Sequence, residues 1–253
     1  GYSNMLGLIK PNSSWSWAAY GKHPAAKDFF RVGQDSPVMR SFSKWVEEGY
    51  NNLVPNGKNN LNPISWRFWA KGAIKETLIC GLLKDSSDSI GRQYPLLIIG
   101  SGLLKNWEEQ WDILPFACEK TWNQIEYISA QRFSDLKKLE SEIQGIRQPC
   151  SGWSELKAKS EEAISNNPDK FPHTEVFLSG ESEVFIPLDQ KDCHDQGTLI
   201  SCWHHLFMSH NKTVPIVTFM GGTFEKGFLA FFKRPLATAD FIRLWTVSSA
   251  ARG

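Results

Sequence analysis

The amino-acid sequence predicts an α/β protein of the α+β kind, in which a mixed, mostly antiparallel sheet is flanked by helices in a single globular domain. Strand-like segments lie at both ends of the chain, within residues 15–102 and again within 175–245. The segment between them, 107–165, carries apolar residues at helical spacing among many charged ones. Strands on both sides of a helical middle favour one shared sheet covered by helices.

The first third of the chain predicts four strands and one helix. Large and small residues alternate from Trp15 to Tyr20, which is typical of a strand. Ser36 and Pro37 form a helix start, because serine is a good N-cap and proline suits the first helical position. Apolar residues then follow at helical spacing to Leu53. Three further strands are predicted at 64–70, 77–83 and 94–99, the last two as an antiparallel pair.

The rest of the chain predicts surface helices followed by more strands. Helical spacing continues through the segment 107–165, with a break at 145–152. Gly221 and Gly222 predict the turn of a hairpin. The final elements predicted are a hairpin of 175–179 and 184–188, a strand at 198–207, a hairpin of 214–219 and 227–233, and an amphipathic helix at 237–245.

The predicted domain organisation is one domain across residues 1–253, with an ordered core at about 15–245 and a tail or linker at 246–253. The chain begins with Gly1 and ends in a small, polar segment. This pattern is compatible with a tag-cleaved protein or with a piece of a longer one.

The charge balance argues against two classes of partner. Lys and Arg number 28 against 27 Asp and Glu, so the chain has no general attraction for nucleic acid or for an anionic membrane. No basic segment followed by a long apolar run opens the sequence, and no apolar stretch approaches the roughly 20 residues that span a bilayer. We therefore expect a cytoplasmic protein without membrane insertion. Its 11 Trp and 16 Phe are expected mainly in the core.

The cysteines and histidines do not predict a metal site. The five cysteines are scattered and form no C-x-x-C pair, which favours free thiols in a reducing compartment. The densest group of ligand-type residues has no standard zinc spacing. If 198–208 is a strand, Cys202 and His204 share a face and His205 points the other way. We expect no metal and no other cofactor. The group consists of Cys193, His194, Cys202, His204, His205 and His210.

Two loops beside predicted strands carry the candidate binding residues. The first motif loop, residues 21–29, and the second, residues 85–95, combine glycine, proline, carboxylates and cations. Loops on a rigid scaffold are common sites of function, and neither loop matches a phosphate-binding or nucleophile motif. The candidates are Gly21, Lys22, Pro24, Asp28, Phe29, Asp88, Gly91, Arg92 and Pro95.

The chemistry of these loops leaves alternatives open. His23 and Asp28 could form an acid/base pair, or Asp28 could instead bind the backbone of its own loop. Arg92 could bind a carboxylate or phosphate of a partner, or it could pair with Asp28 or Asp88. A semi-buried arginine needs a carboxylate. We therefore predict that the two loops lie side by side, with Arg92 paired to one of these aspartates.

Both motif loops resemble segments of a known family. The segment Gly21-Lys22-x-Pro24-x-x-x-Asp28-Phe29 is similar to a Gly-Lys-Leu-Pro-x-x-Gly-Asp-Phe signature, with His23 in place of Leu and Lys27 in place of Gly. The segment from Ser87 to Leu96 is similar to a Ser-x-Asp-x-x-Gly-Arg-x-Phe-Pro-Leu segment. Across roughly residues 15–102 the chain thus resembles the type VI secretion accessory family TagF, also called ImpM.

This resemblance implies a cytoplasmic, non-catalytic α/β protein. It also implies an interaction module that represses type VI secretion after translation by binding the forkhead-associated scaffold protein of that system. Two alternatives stand beside it: a structural domain of a larger secretion component, and a hydrolase that uses His23 and Asp28. If the usual glycine at the position of Lys27 has a positive φ, the first motif loop is expected to differ here.

Overall fold

A computed structural model of the chain describes residues 15–53, 63–166, 181–188 and 195–247. Within these residues the strands form one eight-stranded sheet, in which all strand pairings are antiparallel. The strands are β1 (Ser16–Gly21), β2 (Phe30–Gly33), β3 (Ser65–Lys71), β4 (Thr77–Lys84), β5 (Leu96–Leu103), β6 (Glu183–Leu188), β7 (Val217–Gly222) and β8 (Gly227–Phe232). The α-helices are α1 (Pro37–Leu53), α2 (Leu114–Ala117), α3 (Glu119–Ala130), α4 (Leu136–Gln144), α5 (Trp153–Ser165), α6 (Gln196–His210) and α7 (Thr238–Trp245).

The sheet joins the two ends of the chain, which confirms the predicted shared sheet. Its strand order is β2-β1-β5-β4-β3-β7-β8-β6. The junction is the β3–β7 pair, in which Phe68 lies opposite Phe219 and Ser65 opposite Gly222. The first five strands are therefore continued by three from the C-terminal third within a single hydrogen-bonded surface.

Two hydrophobic cores lie on opposite faces of the sheet. Helices α1 and α7 pack together on one face, and two short 3₁₀ turns with helices α2 to α6 cover the other. Strand β3 shows why both cores form: Trp66 and Phe68 face α1 and α7, whereas Trp69 faces the other helices. This alternation confirms the two-faced strand that the sequence predicts. Most of the tryptophans are buried in these cores, as expected.

Helix α1 starts where its sequence predicts. Its first residue is Pro37, and the backbone amide of Met39 donates a hydrogen bond to the Ser36 hydroxyl at 3.1 Å. The hydroxyl thus satisfies one of the amides that a helix N-terminus leaves without a partner.

One predicted element is wrong: residues 198–207 form part of helix α6 and not a strand. The Asp195 side chain accepts a hydrogen bond from the Gly197 amide at 3.0 Å and so caps the helix. Residues Ser201 and Cys202 are buried one turn after Thr198, as helical spacing requires. A short apolar run is compatible with both the helical and the strand period. The sequence pattern alone therefore gave the wrong element for this segment.

The edges of the sheet differ from the prediction in two further ways. Strand β2 was not predicted, although Phe30 and Val32 alternate with exposed neighbours as an edge strand should. The predicted strand at 184–188 is confirmed, and it pairs with β8. Its expected hairpin partner, 175–179, lies outside the described residues. The hairpin of β7 and β8 and the closing helix α7 are confirmed.

A charge network fastens the last helix to the sheet edge. The Arg234 guanidinium donates two hydrogen bonds of 2.8 Å to the Asp240 carboxylate and also binds Glu183 on β6. Asp240 in turn accepts a hydrogen bond from the Ala237 amide at 2.7 Å, at the start of α7. Such bidentate pairs are among the stronger ionic contacts in proteins.

Among the described residues, no helix is both long and apolar enough for a membrane span.

Helix α6 places an uncharged histidine in the core. Trp69 Nε1–H donates to His204 Nε2 at 3.1 Å, and His204 Nδ1–H donates to the Ile200 carbonyl at 2.8 Å. Burial is the main influence and lowers the pKa of His204 to about 4, although the hydrogen bond to Ile200 and the charge of Asp112 act in the opposite direction. The folded protein therefore holds this imidazole neutral at neutral pH.

We expect stability to fall on acidification because of His204. The pKa of His204 is lower in the folded than in the unfolded chain, so protonation favours unfolding. Its contribution to the free energy of unfolding is complete above about pH 6.5 and is lost as the pH falls towards 4. The total loss is on the order of 3 kcal/mol. Urea denaturation at several pH values in this window measures the effect. His204→Gln should show a shallower pH dependence than the exposed control His210→Gln. Equal slopes for the two variants would contradict the assignment.

Candidate functional site

The two motif loops lie side by side because of the strand order. Gly21, the last residue of β1, pairs with Leu96, the first residue of β5, so the loop that follows β1 and the loop that precedes β5 leave the same end of neighbouring strands. Backbone hydrogen bonds join them: the Ser89 amide donates to the Ala26 carbonyl at 2.8 Å, and the Lys22 amide donates to the Pro95 carbonyl at 3.3 Å. The predicted juxtaposition is confirmed.

Glycine is required at the first position of the motif. Gly21 has a φ of +117°, and a Cβ there would lie 1.9 Å from the carbonyl oxygen of Pro95. No side chain fits that distance, so the glycine allows β1 to approach the start of β5. Gly91 also has a positive φ, +91°, but a Cβ there would have no atom within 4 Å. It serves the backbone conformation of the loop and not a close approach.

Asp88 is the buried centre of the two loops. One of its carboxylate oxygens accepts hydrogen bonds from the amides of Ile90 and Arg92, both at 3.0 Å. The other accepts from Arg92 Nε at 2.7 Å and lies 3.6 Å from Lys22 Nζ. Removal from water raises the pKa of Asp88, but the two amides and the guanidinium outweigh it and leave that pKa below its ordinary value. The carboxylate therefore stays charged and ties its own loop to Lys22.

Arg92 bridges the loops, and the prediction of its pairing is confirmed for both aspartates. Besides Asp88, its guanidinium contacts Asp28 at 3.5 Å and donates to the Lys27 carbonyl at 2.9 Å. The expectation of a semi-buried arginine is corrected: its side chain is 51% exposed, whereas the Asp88 side chain is fully buried. The physical reason for the pairing is thus the need of a buried carboxylate for donors, and not the burial of a cation.

The first motif loop tolerates Lys27 without backbone strain. Among the described residues other than glycine, only Glu76 and Asn106 have a positive φ. Lys27 therefore does not need the conformation that favours glycine, and its carbonyl is used by Arg92. Asp28 binds the amide of Phe29 at 2.8 Å, which is the local role expected for an aspartate in a turn.

Aromatic rings support the loops from the sheet side. Phe29 packs edge-on against Tyr20 and Tyr94, with ring centroids 4.7 and 5.1 Å away. The hydroxyls of Tyr20 and Tyr94 lie 3.0 Å apart. Burial and the Tyr20 hydroxyl raise the pKa of Tyr94, so this pair stays neutral. Phe29 keeps part of its ring exposed, and Pro24 is exposed as well.

Of the two alternatives for Asp28, the acid/base pair with His23 does not form, whereas the bond to the backbone of its own loop does. His23 is buried, accepts a hydrogen bond from the Ala25 amide at 3.0 Å and donates from Nε2 to the Ile128 carbonyl at 3.1 Å. Burial lowers the pKa of His23, and this exceeds the opposite effect of the Ile128 carbonyl. Both ring nitrogens of His23 are therefore occupied by hydrogen bonds within the fold. Within the described ranges, no contact joins His23 to Asp28. The geometry gives the hydrolase alternative no support.

The described members of the cysteine and histidine group do not converge on one point. His204 is bound to Trp69 and Ile200 in the core, and His205 lies 3.4 Å from Asp112 at the surface. Across the part of the chain that the structure describes, no group of three or more His, Cys, Asp or Glu side chains could hold a metal ion. Cys193 and His194 lie outside that part. The faces assigned to Cys202, His204 and His205 from a strand are wrong, because this segment is helix α6.

Sequence reasoning missed the exposed apolar residue of the site. Ile90, at the tip of the second motif loop, is 72% exposed. Its neighbour Asp88 holds the loop in a conformation that turns this side chain outward, and no spacing pattern signals that. We call the exposed set Asp28, Phe29, Ile90 and Arg92 the loop surface.

The two motif glycines should differ in their sensitivity to alanine. Gly21→Ala places a Cβ against the backbone of Pro95 and should destabilise the fold by several kcal/mol, since the main chain must move. Gly91→Ala meets no atom and should cost only about 1 kcal/mol of backbone strain. Chemical denaturation of both variants compares the losses. A loss for Gly91→Ala as large as that for Gly21→Ala would refute the close-approach argument.

The charged residues of the motif loops should also differ in how much each contributes to thermal stability. Asp88→Asn replaces an oxygen that accepts from Arg92 and Lys22 with an amide, and so should lower the melting temperature most. Arg92→Ala should have a smaller effect, because Lys22 and two backbone amides still face Asp88. Asp28→Asn, at an exposed pair, should be nearly neutral. Thermal melts of the three variants test this order, and an Asp28→Asn loss equal to that of Asp88→Asn contradicts it.

Comparisons with known proteins agree with this arrangement. The profile of the family described as "TagF N-terminal domain, Type VI secretion system-associated" matches residues 18–146, just over half of the chain. The fold is similar to the crystal structure of PA0076 from Pseudomonas aeruginosa PAO1, with a TM-score of 0.55 and 14% identity over 90% of this chain and 93% of that one. A comparison with curated protein sequences finds no match. Since the matched segment contains both motif loops and the sheet strands that carry them, the chain belongs to the type VI secretion-associated TagF family.

Proposed function

We propose that this chain is a non-catalytic interaction module that represses type VI secretion after translation by binding the forkhead-associated scaffold protein of the system. Membership of a secretion-associated family supports an accessory role in that machinery. The repressive action and the scaffold as partner are what the family resemblance implies. We expect the protein to act in the bacterial cytoplasm, where assembly of the machinery can be controlled.

The single observation that carries the proposal is the loop surface. It combines an isoleucine that is 72% exposed and a half-exposed phenylalanine with the charges of Arg92 and Asp28. Protein interfaces commonly have an apolar centre and a polar rim, and the side chains of the loop surface have that composition. Because Asp88 and the backbone hydrogen bonds fix both loops, this surface is ordered before it meets a partner, which lowers the entropy cost of binding.

The proposed absence of catalysis has its own support. His23, the one histidine in the motif loops, is buried and uses both ring nitrogens. General acid/base catalysis requires a titratable group within hydrogen-bond reach of a substrate. Of the exposed charged groups in the motif loops, Arg92 and Asp28 pair with each other, and Lys27 is exposed as well. Recognition of a partner needs no more than this arrangement.

A matched pair of isoleucine variants tests the proposal. Ile90 and Ile74 are 72% and 71% exposed, but Ile90 lies in the β4–β5 loop and Ile74 in the β3–β4 turn, at opposite ends of the sheet. We expect Ile90→Asp to weaken binding of the purified chain to the forkhead-associated scaffold at least tenfold, because a carboxylate is desolvated in place of an apolar contact. Ile74→Asp should bind as the wild type does. Isothermal titration calorimetry measures both affinities.

Thermal melts of the same proteins exclude a folding effect, since neither isoleucine is buried. A secretion assay in cells completes the test: overproduction of wild-type protein and of Ile74→Asp should suppress secretion, and overproduction of Ile90→Asp should not. Absence of scaffold binding by the wild type would contradict the proposed partner. Equal binding by both variants would contradict the proposed surface.

A further inference from the structure

A cleft of about 470 Å³ lies beside the motif loops. Pro24 and Gly91 of the two loops border it on one side. Its other lining residues include Lys84, the last residue of β4, Ser129 in the last turn of α3, and Arg132, two residues after α3. The cleft is distinct from the loop surface, whose exposed residues do not line it.

The ammonium group of Lys84 has a serine hydroxyl as its neighbour. Its Nζ lies 3.4 Å from the Ser129 hydroxyl oxygen. The Ser129 hydroxyl donates its hydrogen to the Glu126 carbonyl at 2.7 Å, so it can only accept from Lys84. Among the described residues, no carboxylate oxygen lies within the 4.0 Å of an ion pair with this ammonium group.

The two carboxylates whose charges act on Lys84 are bound by other groups. Glu126 accepts hydrogen bonds from Arg67 Nε at 2.6 Å and from Arg67 Nη2 at 2.8 Å. Asp85 accepts from the Ile64 amide and from Trp245 Nε1, both at 2.9 Å. Burial lowers the pKa of Lys84, and the attraction of Glu126 and Asp85 does not fully offset it. A half-buried ammonium group in this state would be stabilised by an anion from outside the chain.

Further donors line the same cleft. Arg132 is exposed and makes no ion pair with any described residue, and Ser86 and Ser87 also line the cleft. Asp85 lines it too, and its carboxylate accepts from the Ile64 amide and the Trp245 indole. Two cations and two hydroxyls match an oxyanion with several acceptor oxygens, because each oxygen can accept from a separate donor. A guanidinium also fits phosphate geometry particularly well.

We propose that this cleft binds a phosphate-type oxyanion, with Lys84 and Arg132 supplying charge and the hydroxyls of Ser86 and Ser87 supplying hydrogen bonds. Ser129 positions Lys84 and does not contact the ligand as a donor. The ligand is a phosphate group, free or carried by a larger molecule. The site does not depend on the identity of the protein that binds the loop surface.

Calorimetric titration of inorganic phosphate into the full chain tests this site, with acetate and chloride titrated at matched ionic strength. The wild type should bind phosphate and not the other two anions. Lys84→Gln and Arg132→Gln should each weaken phosphate binding about tenfold or more, as expected for loss of a charge-assisted hydrogen bond. Lys137→Gln is the matched control, because Lys137 is an exposed lysine on α4 that does not line the cleft.

Thermal melts separate a loss of phosphate binding from a loss of folding. Arg132 is exposed, so Arg132→Gln should fold as the wild type does, and thermal melts check both cleft variants. Bound phosphate should also raise the melting temperature of the wild type, and less so that of the two variants. Absence of phosphate binding, equal binding of acetate, or an equal loss in Lys137→Gln would overturn the proposal.

Discussion

The candidate surface depends on one interaction, the solvation of the buried Asp88 carboxylate by donors from both motif loops. A carboxylate without water needs several hydrogen bonds to remain charged. Ile90 and Arg92 provide backbone amides, and Arg92 and Lys22 provide cations. Because Lys22 belongs to the other loop, the same carboxylate that shapes the second loop also holds the first. The exposed side chains around it are thereby fixed in place.

The sheet makes this interaction possible and follows largely from the sequence. Alternation in β3 and the turn residues of the β7–β8 hairpin predict those strands correctly, since each has a strong local signal. The helix at 198–207 and strand β2 were missed, because a short apolar run and a four-residue edge strand carry little periodic signal. Nothing local indicates that β7 pairs with β3. That pairing between distant segments is decided by packing in the two cores.

The site was predictable in its residues and less so in its physics. The spacing of Asp88 and Arg92 and the charge of Asp28 indicate a local pairing, and the structure contains both pairs. Which partner is buried was not predictable, because burial depends on how Lys22 and the end of β5 enclose Asp88. His23 was open to a catalytic interpretation until Ile128, 105 residues away, proved to be its partner. The cleft around Lys84 and Arg132 likewise joins segments that no spacing rule connects.

Residue-resolved amide hydrogen exchange of the wild type and Asp88→Asn tests the central claim most directly. In the wild type, the amides of Ile90, Arg92, Ser89 and Lys22 should all exchange slowly, because each donates a hydrogen bond within the paired loops. In Asp88→Asn, all four should exchange faster together, while the amides of β5 stay protected. Faster exchange at Ile90 and Arg92 with unchanged protection at Lys22 and Ser89 would show that the loops are held independently, and would contradict the account.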